Sequence, residues 1–260
     1  MIVAVFGSEL VKLRRTIAPW VTLGSLMTGP LFLALFLWII KDPDRAAQFG
    51  LLGAKANLSG IEATWASYAS FLTLIVGLGG TLLLAFVAAY VFGREYSEGT
   101  AKVMLTLPVP RPAFVIAKLL VAALWWLVIV LVVYVEAVLV GLGLGLPGIT
   151  WGAVGSLLGN LLLVAGISYL LAPVVALVTV WSRGYLAPVG FALGMLLLGN
   201  VVGHTGWAPW FPWSIVPILV GSVSAPVDAL PFGSLVVLAA TFAAGIAATM
   251  WQLQTADNTQ

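Results

Sequence analysis

The sequence predicts an all-α polytopic membrane protein, with an N-terminal interfacial elbow helix, six transmembrane helices and a re-entrant helical region between the fifth and sixth. Three observations carry this. Hydrophobic residues make up 62% of the 260 and the mean hydropathy is +1.14, well above the roughly half-apolar usage of soluble domains. The apolar runs are long enough to supply the ~20 residues that a helix needs to cross a hydrocarbon core ~30 Å thick. They are also continuous rather than alternating in ~10-residue pieces. That excludes a barrel, the other fold that satisfies its backbone in lipid.

The elements follow in order as one transmembrane domain over residues 1–260. Residues 1–19 are amphipathic: Phe6, Leu10, Leu13 and Ile17 recur at helical spacing, while Glu9, Lys12, Arg14 and Arg15 take other faces. This is the pattern of a helix lying in the interface. Spans are expected at about 20–40, 68–92, 114–140, 154–180, 185–202 and 232–251. Residues 41–67 are polar and mixed in charge, and residues 141–153 are Gly-rich. Residues 203–231 are apolar but interrupted by Pro209, Pro212, Pro217, Pro226 and Pro231. Prolines this dense forbid one continuous helix, so short pieces dipping part-way into the membrane are expected, with Trp207, Trp210 and Trp213 at headgroup depth.

Charge sets the orientation, because Lys and Arg accumulate in cytoplasmic segments. With both termini inside, Lys12, Arg14, Arg15, Arg94, Lys102, Arg111, Lys118 and Arg183 are cytoplasmic; only Lys41, Arg45 and Lys55 are outside. The expected location is the plasma or inner membrane. No cleavable signal peptide is expected. The chain has no cysteine and one histidine, which removes thiolate chemistry and His-based metal clusters. A net charge of +2 gives no argument for nucleic acid. No G-x-x-x-x-G-K-[ST] loop is present, so the chain has no phosphate cradle of its own.

One stretch departs from the apolar background. In residues 93–112, "GREYSEGTAKVMLTLPVPRP", Arg94, Glu95, Glu98 and Lys102 fall within nine positions between two spans. Gly93 is expected to end a span, Arg94–Gly99 to form a polar turn, and Thr100–Leu107 a short amphipathic helix stopped by Pro108, Pro110 and Pro112. The result is a rigid cytoplasmic peg, or else a solvated loop that merely meets the charge rule. The wider segment "FGREYSEGTAKVMLTLPVPRPAFVIAKLL" resembles the characteristic segment of the ABC-2 type permeases, the membrane subunits of type V ABC exporters. The elbow helix, six spans and proline-broken region also resemble that family.

The resemblance implies a coupling helix at Arg94, Glu95, Glu98, Gly99, Thr100, Lys102 and Arg111 that docks into an ATP-binding subunit. It implies a second contact through Glu9, Lys12, Arg14 and Arg15 of the elbow helix. It further implies two copies of that subunit, which binds ATP and Mg, and a second permease, expected to be an identical copy. This chain would hold no cofactor, metal or catalytic site. The cargo would be amphipathic or hydrophobic (a drug, peptide antibiotic or lipid), since the spans offer few charges for an ion or sugar.

Other residues leave alternatives open. Glu136 is the one acid inside an apolar span; it lines the path or dimer seam, or it snorkels or sits protonated. Trp207, Trp210 and Trp213 touch a substrate or belong to the aromatic belt. His204 is expected to be an interfacial hydrogen-bonder. The pairs Gly155/Gly159, Gly190/Gly194 and Gly199/Gly203 have a spacing that permits close helix approach. The competing function is an ion-coupled secondary transporter or channel, for which Glu136 is the only support.

Overall fold

A computed structural model describes residues 2–42, 62–100 and 110–255, and the regular structure among them is helical. The helices are α1 (Ile2–Arg14), α2 (Ala18–Ile40), α3 (Trp65–Ser97), α4 (Arg111–Gly143), α5 (Trp151–Tyr169), α6 (Ala172–Ser182), α7 (Leu186–Val202), α8 (Ile215–Leu219) and α9 (Phe232–Thr255). Among the described residues five helical segments are long and apolar enough to cross a membrane: α2, α3, α4, α5–α6 together, and α9. The expected fifth span, α7, has 17 residues. At 1.5 Å per residue it reaches about 25 Å, short of a ~30 Å core.

Local chemistry explains where the helices begin and break. Thr64 and Thr150 cap α3 and α5, their hydroxyls accepting from the Ser67 and Ala153 amides. The expected fourth span, 154–180, is not one continuous helix: it breaks at Leu170–Leu171. Pro173 follows, with no N–H to give the preceding turn. Gly245 of α9 closes on that break, where an added Cβ would lie 2.9 Å from the Val174 nitrogen. The Thr249 hydroxyl donates to the carbonyls of Gly245 and Pro173.

α3 is the hub, packed against α2, α4, α5, α6 and α7, while α9 lies mainly on α6 and α1 on α4. Tyr68, Leu72, Val76, Ile129, Leu157 and Leu161 are fully buried where α3, α4 and α5 meet. Several polar side chains inside this core are paired across helices, as an environment without water favours. Thr81 and Ser168 share a 2.7 Å hydrogen bond, Trp126 Nε1 donates to the Ala165 carbonyl, and Tyr169 Oη donates to that of Leu119.

Loops tie the two ends separately. At one end Lys41 Nζ donates to the Leu144 carbonyl and the Trp65 amide to that of Pro147. At the other, α1, the C-termini of α3 and α9, the N-terminus of α4 and the α6–α7 turn come together. Residues 203–231 form only short pieces: single turns at Ala208–Trp210, Pro212–Ser214 and Val227–Ala229, and the five-residue α8. This segment packs onto α7 through Gly199, where a Cβ would meet the Trp213 carbonyl oxygen at 2.4 Å. Gly203 packs against Val223, whereas Gly155, Gly159, Gly190 and Gly194 have nothing within 4 Å.

Replacing Gly199 with Ala is therefore expected to lower stability by about 1–3 kcal/mol, the usual penalty for overpacking, because the obstacle is backbone. Gly190→Ala should leave it unchanged or slightly higher. Thermal unfolding of both variants in detergent is the check.

Candidate functional site: a charged helix end built on a buried ion cluster

Four charged side chains from three helices meet at the α1 end of the bundle. Lys118, one of the last polar groups before the apolar stretch of α4, is 3% exposed. An ammonium group has three protons to donate. Lys118 Nζ gives them to Glu95 Oε1 at 2.7 Å, the Val91 carbonyl at 2.7 Å and Glu9 Oε2 at 3.1 Å. Lys12 Nζ binds the other oxygen of Glu9 at 2.5 Å and reaches Glu95 Oε1 at 3.4 Å. Two acids and two bases cancel, so no net charge is buried. Lys118 Nζ also lies 5.8 Å from the centre of the Phe92 ring, within the range where a cation is attracted to an aromatic face.

This arrangement reverses part of the reading of α1. Glu9 lies on its buried face with Val5 and Leu13, while Ile17 and Val3 are exposed. Burial alone pushes the Glu9 carboxyl up, but Lys118 and Lys12 outweigh it and hold the group below its ordinary 4.5. Burial pulls Lys12 down, and its carboxylate partners more than restore it, above 10.5.

α3 does not end at Gly93 with a polar turn after it; it runs to Ser97. Gly93 is instead a point of close approach, where a Cβ would lie 3.0 Å from the Tyr185 ring. The helix stops at Gly99, whose φ of +68° a residue with a Cβ adopts poorly. The Gly99 amide donates to the Tyr96 carbonyl and the Thr100 amide to that of Glu95, the paired bonds of a Schellman ending. On the outer side of this last turn Arg94 Nε pairs with Glu98 Oε1 at 2.8 Å. Tyr185, from the α6–α7 turn, braces it: the phenol shares a 2.5 Å hydrogen bond with Ser97 and stacks on Tyr90.

The residues singled out in the sequence thus separate into two sets. Glu9 and Glu95 are turned inward, and Arg111 is committed to α9, its guanidinium donating to the carbonyls of Leu253 and Gln254. Those carbonyls lie in the last turn of α9, where a cation suits the helix dipole. Glu98, Gly99, Thr100, Arg14 and Arg15 are exposed and Arg94 is partly so. Lys102 and the expected 100–107 helix, except Thr100, lie outside the described residues. Glu136 sits at the far end of α4, with Oε2 buried and without a hydrogen-bond partner. Trp207 and Trp210 are exposed, but Trp213 is buried between Phe191 and Phe211. His204 Nδ1 bonds the Ser224 hydroxyl. Sequence reasoning placed Lys118 among the cytoplasmic charges and gave Tyr185 no role. A lysine flanked by Ala117 and Leu119 on one side of a span was the available sign for the first.

Comparison with known proteins gives two findings. A family model described as ABC-2 family transporter protein matches residues 5–199, from α1 to near the end of α7. The bacitracin transport permease protein of Bacillus licheniformis is 30% identical over 181 residues, covering 68% of this chain and 84% of that protein.

Breaking a buried ion pair by removing one partner costs about 3–5 kcal/mol, so Lys118→Met is expected to lose that much in thermal or denaturant unfolding. The double change Lys118→Met, Glu95→Gln should recover much of the loss, since Glu9 and Lys12 then remain as a matched pair. A pH series isolates Glu9. Its folded pKa lies below the unfolded one, so its contribution is present above about 4.5 and lost as pH falls through the folded value. The stability gap between wild type and Glu9→Gln should be flat near neutral pH and shrink on the acid side.

Proposed function

The chain belongs to the ABC-2 family of transporter proteins, and from that premise we propose how its two ends divide the work of transport. It is a permease subunit of an ABC transporter, a membrane protein that associates with an ATP-binding subunit. In our reading it serves an exporter of amphipathic or hydrophobic molecules and crosses the membrane six times, with the short α7 as the fifth crossing. Both termini face the cytoplasm, and the proline-broken segment before α9 enters the outer leaflet. Two permeases, expected to be identical, form the path between them, and two ATP-binding subunits holding ATP and Mg drive it. The permease named for bacitracin makes a peptide antibiotic one reasonable class of cargo.

The observation that carries this reading is the division of charges at the α3 C-terminus. Glu95 is used internally, so its helix turn is held rigidly to α1 and α4. Glu98, three residues after it, and Arg94, the residue before it, stay accessible on the outer side of that turn. A push applied to this exposed side by a partner reaches α1, α4 and, through Tyr185, α7 without first deforming a loop. Arg14 and Arg15, exposed on α1, form the second contact.

Glu98→Lys tests the assignment. It replaces an exposed carboxylate, so the protein should still insert and keep its melting temperature, while the ATP-binding subunit either fails to co-purify or hydrolyses ATP without transport. Normal coupling in that variant would sink the peg. Glu95→Lys should behave differently, losing stability before any question of docking arises.

A further inference from the structure

At the end of the bundle opposite the ion cluster, a groove of about 750 Å³ opens between the first turns of α3 and α5. That is the size of sites that hold small molecules. Its walls are small residues from both helices, Ala66, Ala69 and Ser70 facing Ala153 and Ser156, so no large side chain fills it. The exposed surface here is largely alanine and hydroxyl. Three polar groups line it with no hydrogen-bond or ion-pair partner among the described residues: the Glu62 carboxylate, the Asn160 amide and the Ser70 hydroxyl. Among the described residues no lysine, arginine or histidine lines the groove.

We infer that this groove binds the cationic, N–H-bearing head of an amphipathic small molecule, with Glu62 as counter-ion and Asn160 as hydrogen-bond partner. A carboxylate without a basic neighbour attracts a cation and repels an anion. An amide near the lipid boundary is costly unless a ligand engages it. A second copy of the chain is the weaker occupant. An isologous contact sets the same patch against itself, which would bring two such carboxylates together with no base to answer them. The inference rests on the transporter reading for why the protein would hold such a molecule, and it adds a ligand class and residues that the family membership does not supply.

The test uses the permease with its ATP-binding subunit in lipid nanodiscs, and two dyes read by fluorescence anisotropy. Ethidium is cationic and carries amine donors; anilinonaphthalene sulfonate is anionic and of similar bulk. Glu62→Gln and Asn160→Leu, both at exposed positions, should each weaken ethidium binding by about ten-fold, the loss of one hydrogen bond to a charged group. Binding of the anionic dye should stay level or tighten in Glu62→Gln. Unchanged ethidium affinity in both variants, or equal loss of both dyes, overturns the site. So does disulfide formation between copies of a Ser156→Cys variant in the same discs, which would seat a second chain there. Co-purification of the ATP-binding subunit is scored separately. Its absence from the wild type would refute the docking reading while leaving ethidium binding to the permease to decide the groove.

Discussion

The rest of the structure depends on how three charges, Glu9, Glu95 and Lys118, are kept out of water at one end of an apolar bundle, with a half-buried Lys12 completing the balance. Desolvating a single ammonium or carboxylate costs several kcal/mol, and the cost is met only if every proton and lone pair finds a partner. Lys118 places all three of its protons, and the acids that receive two of them come from α1 and α3. The requirement therefore fixes three helices relative to one another. α1 cannot slide along the membrane surface as an independent amphipathic helix, because its Glu9 belongs to the interior of the bundle.

Backbone geometry imposes the second constraint. Pro30 lies within α2 and Pro173 at the break between α5 and α6, and each interrupts the helix ladder where water is unavailable. Neighbouring helices tie down each of these turns: Tyr68 Oη reaches the Pro30 carbonyl at 3.5 Å, and Thr249 donates to that of Pro173. Glycines let other backbones come close enough to pack without side chains between them. Gly199 against Trp213 and Gly245 against the Pro173 turn are two of the contacts that hold α7 and α9 to their neighbours. The broken segment before α9 is thus part of the packed structure, and its buried Trp213 anchors it.

In the proposed reading, function combines rigidity at one end with openness at the other. The α3 terminus, braced by Glu95 inside and Tyr185 beside it, presents Arg94 and Glu98 as a stiff surface. The opposite end is held by a few backbone contacts around Lys41, Trp65 and Pro147 and leaves a groove between α3 and α5. A force on the stiff end has a short, packed route along α3, the one helix that touches both regions and most of the bundle.

The sequence by itself determined the helical class, the membrane environment, most spans to within a few residues, the broken character of 203–231 and the family. The first four rest on composition, run length and proline placement, properties that each segment carries without its neighbours; the family rests on the resemblance of the segment at residues 92–120. Tertiary structure alone decided which charges are inward. Glu95 and Glu98 differ by three residues and look equivalent in the sequence, yet one is bound by two lysines from other helices and the other faces out. The same holds for Glu9, for Arg111 on the α9 carbonyls, and for Gly93, a packing site rather than a helix end. A charge's environment is set by partners about 20 to 140 residues away, and no local pattern encodes that distance; only the packing of α1, α3, α4 and α9 does.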